Sequence, residues 1–260
     1  MKLRDALRDA ERRLGEAGVD TPRVDAELLL AHVVRTTRSG LYADLDRDVD
    51  GALEPLLARR EAREPLAYIL GEWGFRRLTL KIDARVLVPR PETEIVVERC
   101  LALLADTASP RVLDIGVGSG AIALALKDER PDATVVGVDV SRAALSLARE
   151  NASALGIDVE LREGDIDAAA EGWDLVVSNP PYVDTLDGLQ PELGFEPEEA
   201  LIGEGLHERI ARTAVTRFVV LEVGAGQARD VARALAAEGY ADVSVTPDLA
   251  GTDRVVEGQR

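Results

Sequence analysis

The sequence predicts an α/β protein: a doubly wound, mostly parallel, Rossmann-like sheet of seven strands, preceded by a small bundle of helices. Three observations predict it. From Pro110 onward, short β-rich runs alternate with helical runs, the pattern of a parallel sheet with crossover helices. The stretch "VLDIGVGSGAIALAL" reads as a strand, a glycine loop and a helix in succession. Residues 1–75 carry apolar side chains at helical spacing.

Within 1–75, Leu3, Ala6, Leu7, Ala10 and Leu14 form one helical stripe, with Gly15 and Gly18 as stops. Thr21 and Pro22 open a second helix as N-cap and first helical residue, continued by Val24, Leu28, Leu29, His32 and Val33. A third helix is expected near Gly51–Ala62 and a short fourth over Leu66–Leu70. With no chemistry-bearing cluster, this helical domain is expected to dock a macromolecular substrate. Phe75–Ile82 alternates like a single strand with Arg85–Val88 as its partner, so 76–92 is expected to be a β-hairpin linker. Pro89-Arg90-Pro91 then breaks the chain, and Glu92–Leu104 is a helix.

Residues 93–260 form the main domain. Its strands are expected at Val112–Ile115, Thr134–Val138, Val159–Arg162, Leu175–Val177, Phe218–Val223, Asp242–Pro247 and Asp253–Glu257. The last two suit an antiparallel hairpin at the sheet edge. Helices are expected over Ala121–Lys127, Ser141–Leu155 with Ser141 as N-cap, and Gln227–Glu238.

Composition narrows the function. With 46% hydrophobic and 3% aromatic residues, the 260-residue chain can bury a core made mostly of Leu, Val, Ile and Ala. A net charge of −17 opposes non-specific binding to polyanions, so no direct nucleic-acid partner is expected. The single cysteine, Cys100, excludes an intrachain disulfide and a cysteine-rich metal site, and reads as a small core hydrophobe. No metal is expected. The opening "MKLRDALRDAERR" lacks an apolar segment and does not read as a signal peptide, and no apolar run approaches membrane-spanning length. A cytoplasmic monomer without membrane contact is expected.

The glycine loop points to a nucleoside cofactor. Gly116, Gly118 and Gly120, with Val117 and Ser119 between them, permit a tight turn and a close approach of ligand to backbone. The helix behind them offers free N–H groups. Asp139 ends the next strand, where a carboxylate can accept both ribose hydroxyls. Gly116 to Ala121 also fits the G-x-G-x-x-G/A dinucleotide fingerprint. Asp114, two residues before the first glycine, favours a cofactor with a cationic amino-acid group, S-adenosylmethionine, over one carrying two phosphates. Asp165 and Ile166, after the third strand, could flank the adenine.

The stretch "VVSNPPYVD" carries the chemistry. Ligands in a doubly wound sheet sit at the carboxyl ends of the strands, where Asn179 lies with Asp114 and Asp139. Asn179 supplies an acceptor oxygen, the prolines Pro180 and Pro181 leave carbonyls uncommitted to any ladder, and Tyr182 offers a flat face. Together they suit a planar group bearing NH₂, whose delocalised lone pair becomes more available when its hydrogens are accepted. Asn179, Pro180 and Tyr182 are the expected catalytic set, and Asn179 also borders the cofactor.

Asn179-Pro180-Pro181-Tyr182 resembles the N/D-P-P-Y motif of class I S-adenosylmethionine-dependent methyltransferases acting on planar-group nitrogens, among them adenine-N6 and protein-glutamine methyltransferases. "LVPRPETE", Leu87 to Glu94, is similar to the signature of the HemK/PrmC family, which methylates the glutamine of the Gly-Gly-Gln motif in peptide-chain release factors. "TPRVDAELLLAHV", "EPLAYILGEWGF", "FEPEEAL", "LEVGAGQA" and "DLAGTDRVV" resemble the same family in the same order, over nearly the whole chain. The resemblance implies a class I fold, S-adenosyl-L-methionine as cofactor with S-adenosyl-L-homocysteine as product, N(5)-glutamine methylation, and release factors as partners. It places Gly116 to Gly120, Asp139 and Ile166 at the cofactor, and Asn179 to Tyr182 at the substrate glutamine.

One segment departs from the family. Between Leu206 and Leu221 the family's longer helix and Pro-Gly-Gly-type turn look trimmed to "HERIARTAVTRFVV", within which His207 reads as a solvated helix residue. Rival readings remain: an adenine-N6 methyltransferase on DNA or RNA, opposed by the acidic balance; an NAD-dependent oxidoreductase, which leaves Asn179 to Tyr182 unexplained; and a cofactor-binding regulator without catalysis.

Overall fold

In a computed structural model that describes every residue except 184, 186 and 187, the chain forms two units. One is Met1–Glu72 with Leu189–Phe195; the other is Trp73–Gly188 with Glu196–Arg260.

The first unit is helical: α1 (Leu3–Glu16), α2 (Pro22–Val34), α3 (Leu53–Glu61) and α4 (Leu66–Leu70). The whole predicted stripe of α1 is buried. α2 starts at Pro22 as expected, but the Thr21 hydroxyl donates to Asp25 Oδ1 at 2.8 Å rather than capping an amide. The expected stripe of α2 is rotated: Ala26, Leu29, Leu30 and Val34 are buried, while His32 is exposed. The rotation arises because the inward face also carries charges. Asp25 accepts from Arg60 Nε at 2.7 Å, and Glu27 from Arg23 at 2.8 Å and from Arg38 and Tyr42. Burial pushes the Glu27 carboxyl up, but those donors outweigh it and hold it at about 2. Arg60 also meets Glu192 of the returning segment at 2.9 Å, and Arg63 binds the same carboxylate through both oxygens, at 2.7 and 2.8 Å.

A hairpin follows, β1 (Glu72–Phe75) and β2 (Leu78–Lys81), which from Trp73 onward belongs to the second unit. This corrects the expected single strand over Phe75–Ile82 paired with Arg85–Val88. Arg76 adopts a φ of 51° and reverses the chain, so β2 pairs upstream. At Lys81, backbone N–H and carbonyl bond to the side-chain amide of Asn151 at 2.7 and 3.1 Å, in place of a strand partner.

There follow α5 (Thr93–Leu103), β3 (Arg111–Ile115), α6 (Ala121–Glu129), β4 (Thr134–Asp139), α7 (Arg142–Leu155), β5 (Glu160–Glu163) and β6 (Trp173–Ser178). The chain ends with α8 (Leu206–Thr213), β7 (Thr216–Glu222), α9 (Ala228–Ala237), β8 (Ala241–Pro247) and β9 (Asp253–Gln259). The seven strands lie in the order β5-β4-β3-β6-β7-β9-β8. All neighbours are parallel except β9, which runs antiparallel to both β7 and β8. Alternation divides the strands into two faces. Leu113, Val136, Val176, Val219 and Leu221 join Ile210, Ala211, Val231 and Leu235 in one core. The opposite face packs on α5 and α6, where Cys100 is wholly buried as expected.

The trimmed segment keeps the sheet covered. α8 has eight residues, and Ile210, Ala211 and Ala214 in and behind it are at most 1% exposed. His207 is not solvated, contrary to expectation: it is buried with Nε2 sharing a 2.8 Å hydrogen bond with the Glu222 carbonyl. Burial holds its imidazole below the usual range. Among the described residues no helix is long and apolar enough to cross a membrane.

Candidate active site

The order of strands creates the site. From β3 the chain winds outward through β4 and β5, and then resumes on the other side of β3 with β6 and β7. The crevice where this direction reverses lies outside the carboxyl ends of β3 and β6. Ser178, the last residue of β6, is paired in register with Ile115, the last of β3. A cavity of about 320 Å³ opens here, within the usual size of a small-molecule site.

The glycine loop forms one wall. Gly116, Gly118 and Gly120 all have positive φ, at 74°, 54° and 88°, conformations that a side chain resists. A Cβ at Gly120 would also come within 2.8 Å of Leu124 Cδ1. The amides of Gly116 and Val117 both donate to the Val138 carbonyl, at 2.9 and 3.0 Å, tying the loop to β4. Asp139 completes the tie: its two oxygens accept from Gly118 N at 2.9 Å and Ser141 N at 2.8 Å. Its carboxyl is pushed up by burial, and the same two amides pull it back. Ser141 caps α7 as expected, accepting from Ala144 N at 3.4 Å.

Asp114 is placed differently from the expectation. It is 1% exposed and lies behind the cavity wall, with Oδ2 accepting from Ala123 N at 3.1 Å in the first turn of α6 and Oδ1 without a partner. It alternates with Leu113 and Ile115, so it points to the α5–α6 face and not to the crevice. Burial pushes its carboxyl up to about 8. Gly120 and Tyr182 likewise do not line the cavity, whereas Gly116, Val117, Gly118, Ser119, Asp139, Asp165, Ile166, Asn179, Pro180 and Pro181 do.

Asn179 is the first residue past β6. Its amide nitrogen donates to Thr93 Oγ1 at 3.3 Å, which leaves the oxygen as the atom of this amide able to accept. The loop is buttressed from β7. In "LEVGAGQA", the Gln227 side chain accepts from Gly224 N and donates to the Tyr182 carbonyl, both at 2.9 Å. The Tyr182 hydroxyl reaches Glu222 Oε1 at 3.4 Å. A Cβ at Gly224 would lie 2.9 Å from the Tyr182 ring, and one at Gly203 would lie 2.7 Å from the Pro181 carbonyl, so the tetrapeptide is clasped on two sides.

A second link joins "LVPRPETE" to "FEPEEAL". The buried Glu196 accepts from Val88 N at 3.2 Å and from Arg90 at 2.5 Å. This holds Leu87 and Pro89 at the cavity wall, facing Pro197 and Glu199. Sequence reasoning did not single out Thr93, Glu196, Glu222, Gln227 or the cavity-lining Arg209, whose guanidinium stands 3.7 Å from Asp165. A signal for four of them existed, since Thr93, Glu196, Glu222 and Gln227 lie inside the quoted motifs and a buried polar residue needs a partner.

A family model described as the PrmC N-terminal domain matches residues 5–71, and one described as the methyltransferase small domain matches 94–193. Release factor glutamine methyltransferase of Deinococcus radiodurans is 41% identical over 280 aligned positions, covering 100% of this chain and 99% of that protein. The proteins of that name from Cereibacter sphaeroides and Rhodospirillum rubrum are each 42% identical, over 100% and 95% of this chain and 99% and 82% of theirs. Among solved structures, the hMettl16 catalytic domain in complex with a MAT2A 3'UTR hairpin superposes with a TM-score of 0.56 at 15% identity, over 78% of this chain and 81% of that one. The METTL16 MTase domain lacking its N-terminus gives 0.53 at 16%, over 70% and 88%. At such identities the likeness is one of fold. The near-complete match to the bacterial proteins carries more: this chain, with its glycine loop and Asn179-Pro180-Pro181 at one crevice, belongs to the release factor glutamine methyltransferase family.

Proposed function

We propose that the chain transfers a methyl group from S-adenosylmethionine to the side-chain amide nitrogen of a glutamine in a peptide-chain release factor. The observation that carries this reading is the convergence of Asn179 and the glycine loop on one cavity, in a chain that matches release factor glutamine methyltransferases over its full length.

The residues present fit the cofactor. Gly116 and Gly118 leave room for a ligand against the backbone, Asp139 brings a carboxylate to the cavity edge, and Ile115, Val117, Val140, Ile166 and Ile210 supply apolar walls for a base. The amino-acid end meets no carboxylate from Asp114, which is sealed beneath α6. When bound, S-adenosylmethionine supplies an electrophilic methyl on sulfur. The protein's part is to hold the nucleophile in line with it. Asn179 Oδ1 and the Pro180 carbonyl accept the two hydrogens of the substrate amide, and Pro181, with Leu87 and Pro89 across the cavity, excludes water from the amide. As positive charge grows on the nitrogen, those two acceptors bind it more tightly, which lowers the barrier. The methylated nitrogen releases its proton to solvent.

The helical unit docks the release factor, and the larger unit does the chemistry. Labelled S-adenosylmethionine tests the whole reading. Label is expected in a release factor, none in the same factor with its Gly-Gly-Gln glutamine replaced by alanine, and none in duplex DNA; label in DNA, or retained after the glutamine is removed, would overturn it. Deleting residues 1–72 is expected to abolish transfer to the intact factor and to spare transfer to a short Gly-Gly-Gln peptide.

A further inference from the structure

Asn179 can present either end of its amide to the cavity, because oxygen and NH₂ are nearly the same size. Only the oxygen-first orientation serves a substrate that arrives with two N–H donors. Something must therefore choose, and the choice lies in a chain of polar side chains that runs from Thr93 at the cavity wall to Glu222 behind the tetrapeptide.

Ser178 pairs in register with Leu221, which sets the residues that follow them in the chain, Asn179 just past β6 and Glu222 at the end of β7, side by side at the carboxyl edge. Thr93, at the start of α5, stands with them and is 4% exposed; Glu222 is 1% exposed. Asn179 Nδ2 donates to Thr93 Oγ1 at 3.3 Å. Glu222 Oε1 receives the Tyr182 hydroxyl at 3.4 Å, and Oε2 is buried without a hydrogen bond of ordinary geometry. Thr93 Oγ1 accepts from Asn179, which leaves its own proton available to this carboxyl, and the nearby hydroxyl draws the carboxyl down.

We propose that Glu222, acting through Thr93, is the positioning residue that turns the oxygen of Asn179 toward the substrate amide. This rests on the functional reading above. An ionised carboxylate only accepts, so both neighbouring hydroxyls, Tyr182 and Thr93, turn their protons toward it. Thr93 Oγ1 is then left with a lone pair facing Asn179, and only the NH₂ end satisfies it. A neutral group in place of Glu222 can itself donate to Thr93. The Thr93 proton is then free to face Asn179, the amide turns over, and NH₂ meets the NH₂ of the substrate.

The charge state is finely set. Burial pushes the Glu222 carboxyl up to about 7, and Glu92, which caps α5, adds to the push; the Thr93 hydroxyl, the Arg254 guanidinium on β9 and the Tyr182 hydroxyl oppose it. His207 on α8 bonds the Glu222 carbonyl, with its imidazole held below the usual range. Turnover in the wild type should therefore fall on the acid side of neutrality as Glu222 takes up a proton.

The test compares Glu222→Gln, Thr93→Val and Thr93→Ser with wild type in methyl transfer to a release factor, with cofactor affinity measured by calorimetry. Glu222→Gln and Thr93→Val should each lose about 10- to 100-fold in kcat, less than removing the acceptor outright, with cofactor affinity within about threefold of wild type. Combining them should cost no more than the worse single change, because both break one relay. Thr93→Ser keeps the hydroxyl and should retain turnover, and the acid limb of the pH profile should vanish in Glu222→Gln. Glu222→Gln at near wild-type kcat, or Thr93→Ser as impaired as Thr93→Val, would overturn the inference alone. If Glu222→Gln does not fold, the Thr93 pair decides by the same criterion. A wild type that transfers no methyl to the factor overturns the functional reading and this inference with it.

Discussion

Gln227 Nε2 donates to the Tyr182 carbonyl at 2.9 Å, so the turn after β7 fixes the far end of the tetrapeptide that follows β6. The same side chain accepts from Gly224 N at 2.9 Å. Gln227→Leu keeps the bulk and removes both bonds. Leaving a partly buried carbonyl and N–H unpaired should cost about 1 kcal/mol of stability or more. Methyl transfer should fall while cofactor affinity holds, since Gln227 does not line the cavity. Thermal melts and calorimetry check the two halves; a loss of cofactor binding equal to the loss of turnover would contradict the assignment.

Asn179 carries the strongest expectation. Asn179→Ala removes an acceptor whose bond strengthens as the nitrogen becomes positive, and should lower kcat on the order of 10²–10³. The fold should survive, because the side chain is only half-buried at a strand end. Asn179→Asp keeps acceptor oxygens, so it should retain more activity than the alanine variant. Steady-state methyl transfer decides: turnover of Asn179→Ala within about threefold of wild type would make the tetrapeptide a structural turn.

Asp139→Ala should weaken cofactor binding by about 1–3 kcal/mol. Two effects add here, the lost acceptor at the cavity edge and the release of Gly118 N and Ser141 N that the carboxylate holds. Titration calorimetry measures the loss, and NAD titrated in parallel should give no heat.

The buried Asp114 should make stability fall with pH. Its carboxyl is harder to ionise in the folded chain, at about 8, than in the unfolded chain. Such a group favours folding fully below the unfolded value, about 4, and the contribution is lost as pH rises through the folded one. Glu222, pushed up to about 7, acts with the same sign. Asp114→Asn should therefore melt higher than wild type at pH 8 without cofactor, with the gap narrowing toward pH 4. A gap that widens on acidification would show the reverse coupling.

The fold was legible where periodicity and punctuation agreed. All seven sheet strands, the edge hairpin and the Ser141 cap lie where alternation and capping chemistry put them. Legibility failed where a tertiary partner replaced a local signal. Phe75–Ile82 reads as one strand because nothing in the sequence marks Arg76 as left-handed. The α2 face misled because the stripe of apolar residues does not show that Asp25 and Glu27 face inward, where Arg60 and Arg38 hold them. The site divides the same way. Gly116 to Gly120, Asp139 and Asn179 announce themselves by type and spacing. Asp114 has the right type, but the pleat of β3 turns it away, and Glu222 and Thr93 matter through partners that no spacing reveals.

The segment Leu189–Phe195, which belongs to the helical unit although it follows the tetrapeptide by only a few residues, has a consequence for how this protein can be taken apart. Its Glu192 grips Arg60 and Arg63, and its Gln190 grips Asp20. The helical unit is thus composed of two strips of chain, and no single cut yields it whole. A protease nicking near Glu72 would leave its fragment still clasped, and the two pieces should co-elute until denaturant parts them. A graft of the helices onto another methyltransferase would likewise have to bring this short returning strip, or leave the buried Arg60 holding half of its carboxylate partners.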